Sequence, residues 1–169
     1  MTILGIGVDL VHIPRIAALI SRRTEAKFAA KILSRVEYAQ WNALRQSAST
    51  SPFAPAVGEG GGESQKNYES KEFGSAHPTQ PEIEAARVRF LAVRWGVKEA
   101  AYKAMYPYAR ATWKELSYTS LTATSKPRVE YLPTRSSPDR MENKIGNLHV
   151  SVSHDGEYVY ASVLAESAS

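Results

Sequence analysis

Apolar and polar positions along this chain follow two periods, and the switches between them mark out the elements. Ile3 to Val8 (ILGIGV) is a short apolar run that predicts a buried strand with Asp9 at its C-terminal end. Pro14 suits the first turn of a helix. In Arg15 to Arg23 (RIAALISRR), Ile16, Leu19 and Ile20 share one side and Arg15, Arg22 and Arg23 lie elsewhere, the pattern of a surface helix. Lys27 to Leu33 continues as a second helical piece. Ser34-Arg35-Val36-Glu37 is a capping box, opening a helix through Tyr38, Trp41 and Leu44. A long helix is predicted from Pro81-Glu82, where Glu82 and Glu84 suit a first turn, to just before Pro107. Leu116 to Leu121 and Arg128 to Leu132 alternate like strands, and residues 133–147 suit a loop. Leu148 to Ser153 and Tyr158 to Leu164 are strands of period two, joined at Asp155-Gly156, a hairpin-turn signal, with His154 ending the first. The expected fold class is α+β, an antiparallel sheet packed against one long helix.

Composition adds one interruption to this pattern. Residues 47–81 hold five of the chain's ten glycines and four of its nine prolines, with many serines. Such a stretch buries too little apolar surface to offset its ordering entropy. We read it as a flexible insert within a single domain spanning 1–169, because each flank is short for a domain of its own. Hydrophobic residues at 43% and charged residues at 22% are ordinary for a globular protein. No apolar run approaches the roughly 18 residues of a membrane span. The absence of cysteine excludes disulfides, thiol nucleophiles and Cys-based zinc sites, and suits a reducing compartment. Asp9 breaks the first apolar run, so no secretory signal is expected, and the first residues suit folded protein better than a transit peptide. That points to an intracellular protein of the mitochondrial matrix or cytoplasm. The net charge of +4 favours an acidic partner or an anionic substrate.

The candidate chemistry centres on Arg94 to Met105 (RWGVKEAAYKAM). Glu99 and Lys103, four residues apart, share one helix face with Trp95. Alone, the pair is an ordinary surface contact worth a few tenths of a kcal/mol. Asp9 is either a helix N-cap or a site residue. Gly5 and Gly7 suggest that another backbone or a ligand comes close. They imply no phosphate loop, because no GxxxxGK pattern follows. Trp95 and Tyr102 are expected in the core. Asp155 has a backbone reason to sit in its turn. His154 is either a strand-end histidine held by backbone or a site residue.

Three motifs stand together: G-V-D at 7–9, K-E-A-A-Y-K at 98–103 and V-S-V-S-H-D at 150–155. With the longer stretches GIGVDLVHIPRI, KFAAKILSRVEYAQW, FLAVRWGVKEAAYKAM and LHVSVSHDGEYVYASVLAE, the chain resembles the phosphopantetheinyl transferase family, in its short single-domain holo-[acyl-carrier-protein] synthase branch. The order of the motifs is specific, whereas any one alone is weak. The insert is the main departure from the branch.

The resemblance implies transfer of the 4′-phosphopantetheine arm from coenzyme A to a serine of apo-acyl carrier protein. Adenosine 3′,5′-bisphosphate is the other product, and the reaction supports fatty acid biosynthesis. It implies Mg2+ held by Asp9 and Glu99, since magnesium takes one or two carboxylates plus substrate phosphates. It implies Lys103 at the departing phosphate, and His154 and Arg94 as coenzyme A contacts, although Arg94 has the alternative of pairing with Glu84 or a neighbour. The base for the serine proton stays open between Glu99 and a metal-bound water held by Asp9. The acidic carrier protein is expected on Arg15, Leu19, Arg22, Arg23 and Lys27, and the assembly is expected to be a homotrimer with no nucleic-acid or membrane partner. Two other classes compete. One is a magnesium-dependent nuclease built on Asp9, Glu99 and Lys103. The other is a non-enzymatic basic module that binds acidic proteins. Magnesium-dependent coenzyme A binding separates the transferase from both.

Overall fold

The computed structural model describes residues 2–49, 79–120, 125–134 and 144–168. The elements run β1 (Ile3–His12), α1 (Ile13–Arg23), α2 (Glu25–Ile32), α3 (Arg35–Ser49), α4 (Gln80–Met105), β2 (Leu116–Thr119), β3 (Arg128–Tyr131), β4 (Ile145–Asp155) and β5 (Tyr158–Ser167). β5 is the centre of an antiparallel sheet of order β1-β5-β4, and β2 pairs with β3 in a separate antiparallel ribbon. The expected α+β class and its long helix are both present.

The sequence pattern placed most elements correctly and several boundaries wrongly. β1 continues to His12, so Asp9 lies inside a strand, opposite Ala161 of β5, and caps no helix. Helices α3 and α4 extend into the expected insert at 47–49 and from 80 onward. Thr79 and Glu82 form the capping box that opens α4, the Glu82 carboxylate accepting from the Thr79 amide at 2.7 Å. The rest of the insert, 50–78, lies outside the described residues. β4 begins at Ile145, inside the expected loop. The β4–β5 hairpin closes where Asp155-Gly156 required, with Gly156 at φ +51°.

α4 lies directly on the sheet because the facing residues are small. Gly5 and Gly7 meet the backbone of Ala104 and Ala100: a Cβ on Gly7 would sit 1.9 Å from the Ala100 carbonyl oxygen, and one on Gly5 would sit 2.5 Å from that of Ala104. The close approach expected at these glycines is therefore to another backbone. Gly96, Ala100 and Ala104 repeat every four residues along one helix ridge. Across the sheet, Ala161, Val163 and Ala165 complete the same buried layer. A second core gathers Val11, Ile16, Phe28, Ile32, Trp41 and Leu91 under the three short helices.

The opposite side of α4 is fastened by a buried charge network. Lys98 is 1% exposed and donates to Glu37 Oε2 at 2.6 Å, the Ile32 carbonyl at 2.6 Å and the Trp113 carbonyl at 2.8 Å. Glu37 also accepts from the amides of Ser34 (2.7 Å) and Tyr118 (2.9 Å). The capping-box carboxylate seen in the sequence thus joins α3, α4 and β2, while Lys98 satisfies a carbonyl at the C-terminal end of α2. Burial pulls the Lys98 amine down from its usual range, and Glu37 works against that pull. Removing one partner of such a pair strands a buried charge at a cost of about 3–5 kcal/mol. Lys98→Met should lose about that much in urea unfolding. The double variant Lys98→Met/Glu37→Gln should be more stable than the single one, because no uncompensated charge remains. Wild-type stability for Lys98→Met would remove this network from the account.

Candidate active site

The alternation of β1 turns Gly7, Asp9 and Val11 toward α4, and the small Gly96–Ala100 stretch lets the helix close over them. Asp9 Oδ2 is 3.8 Å from the point where a Cβ on Gly96 would lie. One turn further along α4, Glu99 faces the same space. Asp9, Glu99, His12, Arg15, Leu19 and Trp95 line a cavity of about 210 Å3. β1, α1 and α4 each contribute a wall.

Lys103 sits one more turn along. Its ammonium donates to Asp9 Oδ1 and to the Val8 carbonyl, both at 2.9 Å. The Glu-to-Lys spacing in the sequence therefore marks a shared face, while the ion pair runs from helix to strand. Asp9 is engaged by this cation and Glu99 is not. Burial pushes the Glu99 carboxyl up from its usual range, the nearby Asp9 charge adds to the rise, and Lys103 opposes it. Two carboxylates thus face one cavity, with Lys103 paired to Asp9 and Arg15 on the α1 wall. Among the described residues no cluster of three or more His, Cys, Asp and Glu side chains is placed to hold a metal.

A second cavity, of about 310 Å3, opens on the other side of Glu99. Lys98, Glu99, Tyr102, Ala111, Thr112, Trp113 and Leu116 line it. Between the two cavities runs an aromatic row: Phe28 stacks on Trp95 at 5.6 Å between centroids, and Trp95 on Trp113 at 4.6 Å. Trp95 is partly core, as expected. Tyr102 is not; it is 37% exposed at the cavity wall.

Arg94 also departs from expectation. It is 3% exposed, its guanidinium bonds to Gln40 Oε1 at 3.1 Å and lies over the Phe90 ring, and Glu37 is 4.0 Å away. Burial lowers its pKa to about 10. A side chain enclosed in this way reaches no solvent-facing phosphate within this chain, so the alternative of a neighbouring acid holds, with Glu37 in place of Glu84. His154 is exposed and pairs with Val159, which pairs with Val11, so two strand spacings separate it from β1. The structure brings Asp9, Glu99, Lys103, Arg15 and Leu19 to one place and leaves His154 apart from them.

Arg22, Arg23 and Lys27 are exposed and, with Lys31 and Phe28, border a hollow between α1 and α2. Lys31 was missed in the sequence, although Lys27 and Lys31 are one helical turn apart. His12 was missed as well. Its ring packs at a tilt against Tyr158, and its Nε2 lies 3.3 Å from Glu157 Oε2 at the edge of the Asp9 cavity. Trp113 and Thr112 carried no periodic signal that would have found them.

No family model matches the chain. Relatives do. The chain is 33% identical over 165 residues to the mitochondrial 4′-phosphopantetheinyl transferase B of Aspergillus fumigatus, covering 96% of this chain and 93% of that protein. The chain belongs to the phosphopantetheinyl transferase family. It is also 30% identical over 171 residues to the holo-[acyl-carrier-protein] synthase of Hydrogenovibrio crunogenus, covering 99% of each. Among solved structures, the holo-acyl-carrier-protein synthase of Plasmodium yoelii superposes with a TM-score of 0.63 at 20% identity, covering 99% of this chain and 97% of that one. The Helicobacter pylori enzyme, solved with coenzyme A, superposes at 0.54 with 18% identity over 95% and 99%. The fold is that of the holo-[acyl-carrier-protein] synthases.

The electrostatics of Glu99 give a test that needs no substrate. An acid with a raised folded pKa disfavours the folded state once ionised, so its cost is absent below the unfolded pKa, grows as pH rises from there and is complete above the folded one. Glu99→Gln should therefore raise the melting temperature at pH 7 and leave it near wild type at pH 4. An equal loss of stability at both pH values would show that Glu99 is a structural residue.

Proposed function

We propose that this transferase moves 4′-phosphopantetheine from coenzyme A to a serine hydroxyl of apo-acyl carrier protein, giving holo-acyl carrier protein and adenosine 3′,5′-bisphosphate for fatty acid biosynthesis. The observation that carries the reading is the pairing of Asp9 and Glu99 across one cavity with Lys103 alongside, in a member of this family. The residues fit magnesium. Two hard carboxylate oxygen donors face one space, ionised Glu99 is destabilised by burial and then by the neighbouring Asp9 charge, and magnesium completes such sites with substrate phosphate oxygens and water. Asp9 and Glu99 would hold it, and when bound it supplies neutralisation of the phosphate charge.

The remaining roles fall to the chain itself. Lys103, with an exposed side chain held between Val8 and Asp9, is placed to offset charge on the departing bisphosphate. Glu99 has its basicity raised by burial, which suits a group that takes the serine proton, the alternative being a metal-bound water held by Asp9. Arg15 and Leu19 reach from α1 to the same cavity, while Arg22, Arg23 and Lys27 extend a basic face away from it. An acidic carrier protein docked on α1 would bring its serine to the Asp9–Glu99 space. His154 is kept as a nucleotide contact supplied to a neighbouring copy, because it is exposed and distant from its own carboxylates.

That arrangement requires an oligomer, and the outer face of the sheet supports one. Ile6, Val8, Leu10, Tyr158 and Tyr160 are 41–64% exposed side by side. A contiguous apolar sheet face of this kind marks an interaction surface. We assign it to self-association as a homotrimer. The 1–169 chain is taken as one transferase domain of the mitochondrial matrix or cytoplasm. No helix among the described residues is long and apolar enough to cross a membrane.

The deciding experiment is mass spectrometry of apo-acyl carrier protein incubated with the protein, coenzyme A and Mg2+. The carrier should gain one phosphopantetheine, and Asp9→Asn and Glu99→Gln should each slow this by about 100-fold or more. Mg2+ should raise the melting temperature of wild type and not of Glu99→Gln. An unmodified carrier under these conditions would overturn the reading.

The basic face of α1 gives a separate expectation. Reversing Arg22 and Arg23 to Glu should raise the KM for carrier protein several-fold at low salt, less at high salt, with coenzyme A binding unchanged. Initial rates at two ionic strengths measure it, and a change in coenzyme A affinity instead would move the docking surface elsewhere.

A further inference from the structure

The proposed docking helix is basic, and an acid from elsewhere in the chain stands at its start. α1 has no acid of its own: its charged residues are Arg15, Arg22 and Arg23. The acid is Glu157, in the turn between β4 and β5. Its carbonyl accepts from the Ile13 amide at 2.8 Å, which ties that turn to the first residue of α1. Its side chain is 69% exposed. A bare carboxylate in this position repels an acidic partner that approaches along α1, and like charges at a rim slow association in a salt-dependent way.

The carboxylate is not left bare. His12 ends β1 and is the N-cap residue of α1, yet its side chain makes no bond to that helix. Its Nε2 lies 3.3 Å from Glu157 Oε2 instead. The ring is braced on Tyr158, its partner in the β1–β5 register, at 5.0 Å between centroids. The same histidine lines the Asp9 cavity, three residues before Arg15. An exposed pair of this kind adds little to stability, so its consequence falls on binding.

We propose that His12 screens Glu157 from the acidic carrier protein, and so sets how readily that partner reaches the Asp9–Glu99 cavity. With its proton on Nε2, the imidazole donates to the carboxylate, engages one of its oxygens and stands beside it as a cover. His12 acts through Glu157, which makes it a positioning residue and not a catalytic one. The inference rests on the transferase reading, which brings the carrier along α1. Self-association is the competing role, since Tyr158 belongs to the exposed apolar sheet face. The tie of Glu157 to the start of α1, and the place of His12 on the cavity wall, favour docking.

The test is initial-rate kinetics of the full-length protein against apo-acyl carrier protein concentration, with saturating coenzyme A and Mg2+, at low and high ionic strength. His12→Ala should raise the KM for carrier protein by about threefold or more at low salt and by less at high salt, with kcat and the KM for coenzyme A near wild type. His12→Gln, which keeps a donor, should stay close to wild type. The double variant His12→Ala/Glu157→Gln should return to the wild-type KM or fall below it, because no carboxylate is left to screen. A raised KM that persists in the double variant would make His12 a direct contact and overturn the proposal. An unchanged KM in His12→Ala, or a loss confined to kcat, would overturn it too. So would a changed oligomeric state of His12→Ala in sedimentation, which would assign the pair to the self-association face. A wild-type protein that transfers nothing to the carrier would instead bring down the transferase reading on which the proposal stands.

Discussion

The contact of Gly7 with the backbone of Ala100 sets the geometry on which the rest depends. No side chain fits between β1 and α4 at that point, since a Cβ would lie 1.9 Å from a carbonyl oxygen. Backbone therefore rests on backbone, and the axis of α4 is brought as near the sheet as protein packing allows. Two residues along the strand, Asp9 projects toward the helix. One residue before Ala100, Glu99 projects beside the strand. The convergence of the two carboxylates follows from where the smallest residues fall on each element.

On its far side, α4 carries the opposite kind of contact. Lys98 and Glu99 are neighbours in sequence, and the roughly 100° between successive helical side chains sends them to different surroundings. Lys98 is sunk into a hydrogen-bonded network with Glu37, the end of α2 and the start of β2. Glu99 remains partly open to solvent and carries a cost, from burial and from the Asp9 charge, that Lys103 reduces without removing. The buried pair offsets that cost by anchoring the helix that presents the exposed acid. Charge is buried and paired on one face and turned toward a cavity on the other.

Local signals made much of this legible in the sequence. Pro14, the Ser34–Glu37 box and Asp155-Gly156 each specify a backbone conformation within a few residues, and each appears where it was expected. The Asp9, Glu99 and Lys103 constellation was also visible, because its spacing and its order along the chain are properties of the sequence. What failed needed knowledge of neighbours. Arg94 and Tyr102 exchanged environments, the arginine buried and the tyrosine at a cavity wall, because α4 is packed on most of its circumference and its apolar pattern singles out no outward face. The end of β1 was misplaced because a carboxylate was read as a stop, when the helix opposite gives Asp9 a lysine partner within the strand. The aromatic row of Phe28, Trp95 and Trp113 joins three segments far apart in the chain, and no periodicity encodes it.

The Gly7–Ala100 seat also bears on motion. Hinge and shear movements between packed elements proceed by side chains exchanging rotamers across the interface, and here the interface has almost no side chain to rearrange. The spacing of the two backbones that carry Asp9 and Glu99 is then a fixed dimension of the core. Movement at the site then falls to side chains on its rim, such as those of Lys103 and Tyr102, both partly exposed. The backbone that carries Asp9 and Glu99 behaves as an anvil against which movable side chains work.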